Sequence, residues 1–328
     1  MKPSLQTKSP RTLPTNCSLA RLIAPFQAQF ISKEAAINIL HQLDHKGGPS
    51  PEELPLMQQF ASDIIAAVAA GEISPEEVRE INRCLGASYL AHSVNGSSLN
   101  KPEGYPGDFR MIERVYRYTV TEKARYRNWD LCFHETSAAK AVRNRKHYFR
   151  AKAARKIIQH QQNAFSILAL ASGPAREIYE LYQCFHQGAI DTTCLDADPN
   201  ALQYANNLLA EYSDRIQYQN LNVFRYRPKE KYNLIWSAGM FDYLNDKLFV
   251  YLLKKMKNWL KPAGEIIIGN FSTYHPSRTY MEVFGEWYLH HRSERQLIAL
   301  AQQAGYQLPE IQIGRESEGV NLFLHLRP

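Results

Sequence analysis

The 328-residue sequence has no apolar run of about 18 residues, so no membrane-spanning helix is expected. It has few cysteines. Cys17, Cys84, Cys132, Cys184 and Cys194 are scattered, and no two form a C-x-x-C pair. That spacing gives no disulfide framework. Cys184 and Cys194 fall in helix and strand patterns and read as buried thiols, which suits a reducing cytoplasm. The histidines are dispersed. His290 and His291 are adjacent and on a helix would point about 100° apart, so no metal site is expected. Residues 1–15 lack the apolar core of a secretory signal and read as a loose, proline-rich tail. G-x-G-x-x-G is missing too, which points away from a dinucleotide fold.

Globular composition is present instead, 45% hydrophobic and 22% charged. The formal charge is +7, and Lys140 to Lys156 holds eight Lys or Arg and no acid, so the remainder sums to −1 (7 − 8). One reading of the run is a solvated helix face. The others are a contact for an anionic substrate, a cofactor carboxylate or nucleic acid. Aromatic interleaving stops at Tyr148 and Phe149, which is thin support for RNA. Nothing in the sequence sets an oligomeric state.

Residues 17 to 95 read as helices, with Ser50-Pro51-Glu52-Glu53 and Ser74-Pro75-Glu76-Glu77 as starts. Residues 94 onward are rich in Gly, Asn and Ser and read as a loop. It includes GYPGDF, 104 to 109, where Tyr105 and Asp108 face a pocket or Asp108 caps the next helix. A helix pattern at 136 to 162 carries the basic run.

From residue 164 strands and helices alternate, the mark of a doubly wound parallel sheet. Strands are expected at 165–170, 190–195, 216–221, 234–237 and 265–269, with Leu260 to Gly264 as a turn. The end, 310–313 and 320–326, reads as an antiparallel hairpin, because its connection is too short for a crossover. The expected fold is α/β, a doubly wound, mostly parallel seven-stranded sheet with a C-terminal antiparallel hairpin, plus an N-terminal helical domain. The expected division is a tail, 1–15, a helical domain with the GYPGDF loop, 16–130, and the sheet domain, 131–328, with a lid-like insert at 271–292.

LALASGPAREI, 168 to 178, is the centre of the chain. A strand breaks into small residues and restarts as a helix, which is either an ordinary turn or a nucleotide cradle. The next strand ends at Asp196, near the roughly 20-residue offset at which an acid takes ribose hydroxyls. Asp198 and Pro199 then read as N-cap and N1 of a helix.

These blocks, with NLNVF, YNLIWSAGMFDYL and LKPAGEIIIGNF, resemble class I S-adenosylmethionine-dependent methyltransferases. The resemblance spans about 140 to 328. It departs from the family at Ala169, where an acid is usual, and at Ala171 and Ala175, where glycines are usual. It implies S-adenosyl-L-methionine as cofactor, held by Ala171, Ser172, Gly173, Asp196 and Ala197. Asn222 and Val223 would flank adenine, and Ser237, Ala238 and Gly239 would floor the methyl site. Arg143 or Arg145 would reach the methionine carboxylate. GYPGDF, AVRNR and residues 270 to 292 more loosely resemble bacterial methyltransferases linked to hydroxy-fatty-acid methyl ester signals. The implied acceptor is a small, lipid-like carboxylate or hydroxyl. Tyr105, Phe241, Tyr243, Arg278, Trp287 and Tyr288 are the substrate candidates, Phe241 and Tyr243 also reading as core. Asp242, Tyr274 and His275 are the candidate bases. The insert reads as a lid or as an amphipathic helix on the sheet. The rivals are an RNA or protein methyltransferase and a cofactor-binding regulator without turnover.

Overall fold

Serine and aspartate caps start most of the helices that the sequence marks. The computed structural model describes residues 30–160, 164–185 and 189–328; Cys17 and the tail 1–15 lie outside the described residues. Helix α1 (Lys33–His45) follows Ser32, and α2 (Leu54–Ala70) follows the 3-10 turn Pro51–Glu53. Helix α3 (Pro75–Arg83) has a full capping box: Ser74 Oγ accepts from Glu77 N, and the Glu77 carboxylate accepts from Ser74 N. Helices α4 (Gly86–His92) and α5 (Val94–Asn100) follow. The latter corrects the loop expected from residue 94. Ser93 caps it, and Gly96 gives it close packing, since a Cβ there would lie 2.7 Å from Leu90 Cα. Asp108 caps α6 (Phe109–Tyr116) by accepting from Met111 N. Helices α7 (Arg127–Glu135) and α8 (Ser137–Gln159) lead to the sheet.

The sheet then forms as alternation dictates. Strand β1 (Phe165–Leu170), helix α9 (Arg176–Tyr182), β2 (Ile190–Asp196), α10 (Pro199–Leu208), β3 (Ile216–Asn220) and β4 (Tyr232–Ser237) come first. Helix α11 (Asp246–Lys257), β5 (Leu260–Phe271), α12 (Arg278–Gly285), α13 (Glu294–Gln303), β6 (Ile311–Arg315) and β7 (Asn321–Leu326) complete the chain. The order is β3-β2-β1-β4-β5-β7-β6. All pairs are parallel except β5–β7 and β6–β7. The order turns at β1 and β4, and ligands of open α/β sheets bind there, beyond the strand ends.

Three local expectations are corrected. Leu260 to Gly264 is not a turn before β5 but a bulge inside it. Tyr232 pairs with Leu260 and Leu234 with Glu265, so β5 advances five residues while β4 advances two. Helix α9 ends at Tyr182, which leaves Cys184 exposed rather than buried, whereas Cys194 is buried in β2. The insert helix α12 packs on neither the sheet nor open solvent. Phe284 meets Phe60 of α2 at 5.6 Å between ring centroids. Asn82, Asn95 and Ser98 donate to the carbonyls of Val283, Phe284 and Gly285, so the helical region caps α12.

The basic run of α8 is largely neutralised inside the chain. Arg145 and Lys146 are buried. Lys146 and Arg150 pair with Glu180, Lys156 with Glu265, and Lys140 with Glu135. Arg143 donates to the His134 carbonyl and lies over the Tyr118 ring. The helix is therefore no continuous cationic face for phosphates.

Candidate donor and acceptor cavity

Past the end of β1 the backbone turns through Ala171, Gly173 and Ala175, with φ of 48°, 52° and 52°. Glycine adopts this region freely, while each alanine held there costs on the order of 1–2 kcal/mol. Two alanines in that conformation mean that the turn is fixed by its surroundings. The clamp is Asp196 at the end of β2. Its Oδ2 accepts from Gly173 N at 2.8 Å and its Oδ1 from Asp198 N at 2.9 Å. Burial raises the Asp196 pKa, against the backbone donors that lower it. Each carboxylate oxygen keeps a further lone pair for a ligand hydroxyl. Asn220 donates to the carbonyls of Asp196 and Ala197 and fixes the loop.

Beyond β4, Ala238 and Gly239 form the floor. A Cβ at Gly239 would lie 2.8 Å from Arg145 Nη1, so this glycine makes room for the guanidinium. Asp242 follows, with Oδ1 accepting from Phe271 N at 2.6 Å. Burial pushes its pKa up to about 7. Arg292 donates to the Phe241 carbonyl and to Asn270 Oδ1, which fixes the turn that carries Asp242.

GYPGDF roofs the space. At one end Tyr105 OH donates to Asp198 Oδ2 at 3.0 Å. At the other, Tyr243 OH donates to the Pro106 carbonyl at 2.9 Å and accepts from Trp287 Nε1 at 2.7 Å. Gly107, at φ 68°, lies against the Trp287 ring; a Cβ there would be 2.7 Å from Cη2. Gly107→Ala is expected to cost about 1–3 kcal/mol of stability through overpacking and the left-handed backbone. A melt that matches wild type would show that the roof does not close on Trp287.

The cavity, half open to solvent, has a volume of about 340 Å³. Of the expected donor residues, Ala171, Ser172, Gly173, Asp196, Ala197, Ala238, Gly239 and Arg145 line it. Arg143 is turned to Tyr118, and Ser237 is fully buried behind the floor. The Asn222 side chain caps its own turn by accepting from Phe224 N, and Val223 packs in the core; neither lines the cavity. Of the acceptor candidates, Tyr105, Tyr243, Trp287 and Asp242 line it. Phe241 is core, 4.9 Å from Phe249 between centroids. Arg278 pairs with Glu282, and Tyr288 and Tyr274 are exposed. His275 is buried off the cavity, with its pKa lowered to about 3 by burial. Sequence reading missed Phe109, Ile112 and Tyr116 of α6, Glu177 of α9, and Met240, Phe271 and Leu289. A signal existed for some: Phe109, Ile112 and Tyr116 share one helical stripe.

A model described as a methyltransferase domain matches residues 167–264. No curated protein matches the chain. Among solved structures, a possible exported protein from Bordetella parapertussis is 18% identical with a TM-score of 0.61. The match covers 84% of this chain and 95% of that one. This likeness shows a shared fold that extends into the helical region. Magnesium protoporphyrin IX methyltransferase from Synechocystis, solved with S-adenosylhomocysteine bound, is 10% identical at TM-score 0.46, over 58% of this chain and 87% of that one. A S-adenosylmethionine-dependent methyltransferase from Clostridium acetobutylicum is 13% identical at TM-score 0.42, over 56% and 91%. No helix among the described residues is long and apolar enough to cross a membrane. The methyltransferase model fits the stretch from β1 into β5, on a sheet closed by an antiparallel hairpin. The chain therefore carries a class I S-adenosylmethionine-dependent methyltransferase domain.

Proposed function

We propose that the chain methylates an oxygen, hydroxyl or carboxylate, of a small acceptor with an apolar body. The observation that carries this is one half-open cavity with two unlike ends. Gly173 and Asp196 mark one end, and Asp242 among Phe271, Trp287 and Leu289 marks the other. The donor fits the residues present: Asp196 has acceptor capacity for ribose hydroxyls, and Arg145 has guanidinium groups free to take a carboxylate.

When bound, S-adenosylmethionine supplies a methyl group on a sulfonium, already activated by its charge. The chain's own residues hold, align and dry the site. Asp242, ionised above about pH 7, takes the proton from an acceptor hydroxyl. A carboxylate acceptor needs no base, and Asp242 then serves only to position it. The aromatic walls receive an alkyl or aryl body. The four described cysteines are free thiols, which favours a cytoplasmic protein.

The test is transfer of labelled methyl from S-adenosylmethionine to a panel of hydroxyl- and carboxyl-bearing small molecules, beside total RNA and protein. Label in the small-molecule fraction supports the reading. Label confined to RNA or protein overturns it, and so does no transfer to any acceptor.

A further inference from the structure

Eight Lys or Arg stand in two segments that lie side by side past the ends of β3 and β4. Residues 223–231, the 3-10 turn Val223–Arg225 and the chain after it, carry Arg225, Arg227, Lys229 and Lys231 against Glu230. Helix α11 carries Lys247, Lys254, Lys255 and Lys257 against Asp246, which pairs with the buried Arg292. The segments touch. Lys255 Nζ donates to the Phe224 carbonyl at 2.8 Å, and the Phe224 and Tyr251 rings are 6.1 Å apart between centroids. Lys257 lies 3.7 Å from Glu310, but among the described residues no carboxylate pairs with the other seven cations. Burial, and then the nearby Arg227, lower the pKa of Lys255, so like charges crowd here. The basic run of α8 is largely neutralised inside the chain; this one is left to something outside it.

Apolar side chains stand among these cations. Leu248 and Tyr251, three apart on the outer face of α11, are 40% and 47% exposed. The inner face of the helix, with Phe249, Leu252, Leu253 and Met256, already fills the core, so the outer pair serves no packing there. We propose that this face docks the chain on an anionic lipid bilayer, with the lysines and arginines at the headgroup phosphates and Leu248 and Tyr251 dipping between them. Nucleic acid fits the face less well. A base stacks on an open aromatic ring, whereas Lys255 Nζ already lies 5.7 Å from the Tyr251 centroid and Leu248 offers no ring at all. The choice of a lipid surface rests in one respect on the acceptor reading. An acceptor with an apolar body collects in the bilayer, and Tyr243, which lines the cavity, stands five residues before Leu248 at the same end of the sheet.

The test is cosedimentation of the full chain with vesicles, in the absence of donor and acceptor, so it stands or fails apart from methyl transfer. Vesicles rich in phosphatidylglycerol are expected to bind the chain at low salt, with affinity falling steeply as salt rises, and vesicles of phosphatidylcholine alone are expected not to. In the double variant Lys247→Glu with Lys254→Glu, affinity for the anionic vesicles is expected to fall on the order of tenfold or more. Neither lysine has a carboxylate partner in the fold, and an unchanged melt certifies the variant. Should it melt early, Lys247→Gln with Lys254→Gln must still weaken binding several-fold. Leu248→Ser with Tyr251→Ser is expected to weaken binding several-fold and to leave its salt dependence in place; unchanged affinity would overturn the insertion of those two side chains. No binding by the wild type, equal binding to phosphatidylcholine, or equal binding by the charge variants overturns the proposal. So does total RNA that strips the wild-type chain from the vesicles, which would assign the face to nucleic acid.

Discussion

Asp242→Asn is expected to lower methyl transfer to a hydroxyl acceptor by roughly two to four orders of magnitude, the usual contribution of a positioned general base. The amide keeps an oxygen for Phe271 N, so the turn is preserved while the base is lost. Wild-type rate should rise with pH and level off above about 7, where the carboxyl is ionised. The variant's residual rate should be flat over that range. Stability should run the other way. The buried carboxyl has its pKa raised from 3.8 to about 7, so between those values the folded chain binds more protons than the unfolded one. Wild-type stability therefore falls as pH rises through that window. The Asn variant, which never ionises, should melt at a higher temperature than wild type at pH 8 and lose that advantage near pH 4. Equal rates for variant and wild type with every hydroxyl acceptor would remove Asp242 from the chemistry. An effect absent for carboxylate acceptors alone would assign the acceptor class.

Asp196→Ala is expected to weaken S-adenosylhomocysteine binding on the order of a hundredfold. Two hydrogen bonds from ribose to a charged group, at about 1.5 kcal/mol each, give that factor. The same carboxylate also holds Gly173 N and Asp198 N. Its removal leaves two backbone donors unpaired and frees the turn that three residues hold at positive φ. The melting temperature should drop as well. Asp196→Asn keeps an acceptor for one backbone donor, so it should restore part of the stability but little of the affinity. Unchanged affinity in a folded variant would place the ribose elsewhere.

The sheet was legible because strand and helix patterns alternate from residue 164 with turn residues between them, and its central strands β1 and β4 are short apolar runs. The donor turn was legible because small residues and Asp196 sit at fixed points along that pattern. Helix starts were legible at Ser74, Asp108 and Asp198, but not at Ser93, whose helix is built of Gly, Asn and Ser. Side-chain direction was less so. Arg143 and Arg145 are two positions apart on α8, about 200° around the helix, so only one can face a given cavity. Chain order alone does not say which. Asn222 stands at a strand end like a ligand residue, but its amide is used by its own turn. Tyr274, His275 and Arg278 belong to an aromatic insert whose helix is buried in the helical region, a long-range contact that spacing does not report. Glu177 left a trace: a charge one helical turn from Leu181, on the apolar face of α9. Such a residue is buried with a partner or for one.

A crystal grown with S-adenosylhomocysteine examines the whole construction in one image. Both ribose hydroxyls should lie about 2.7–3.0 Å from the Asp196 carboxylate, with the sulfur over Gly239 and the arm toward Arg145. A ligand seated anywhere else, or density that leaves the Gly173 turn untouched while the molecule binds, would contradict it.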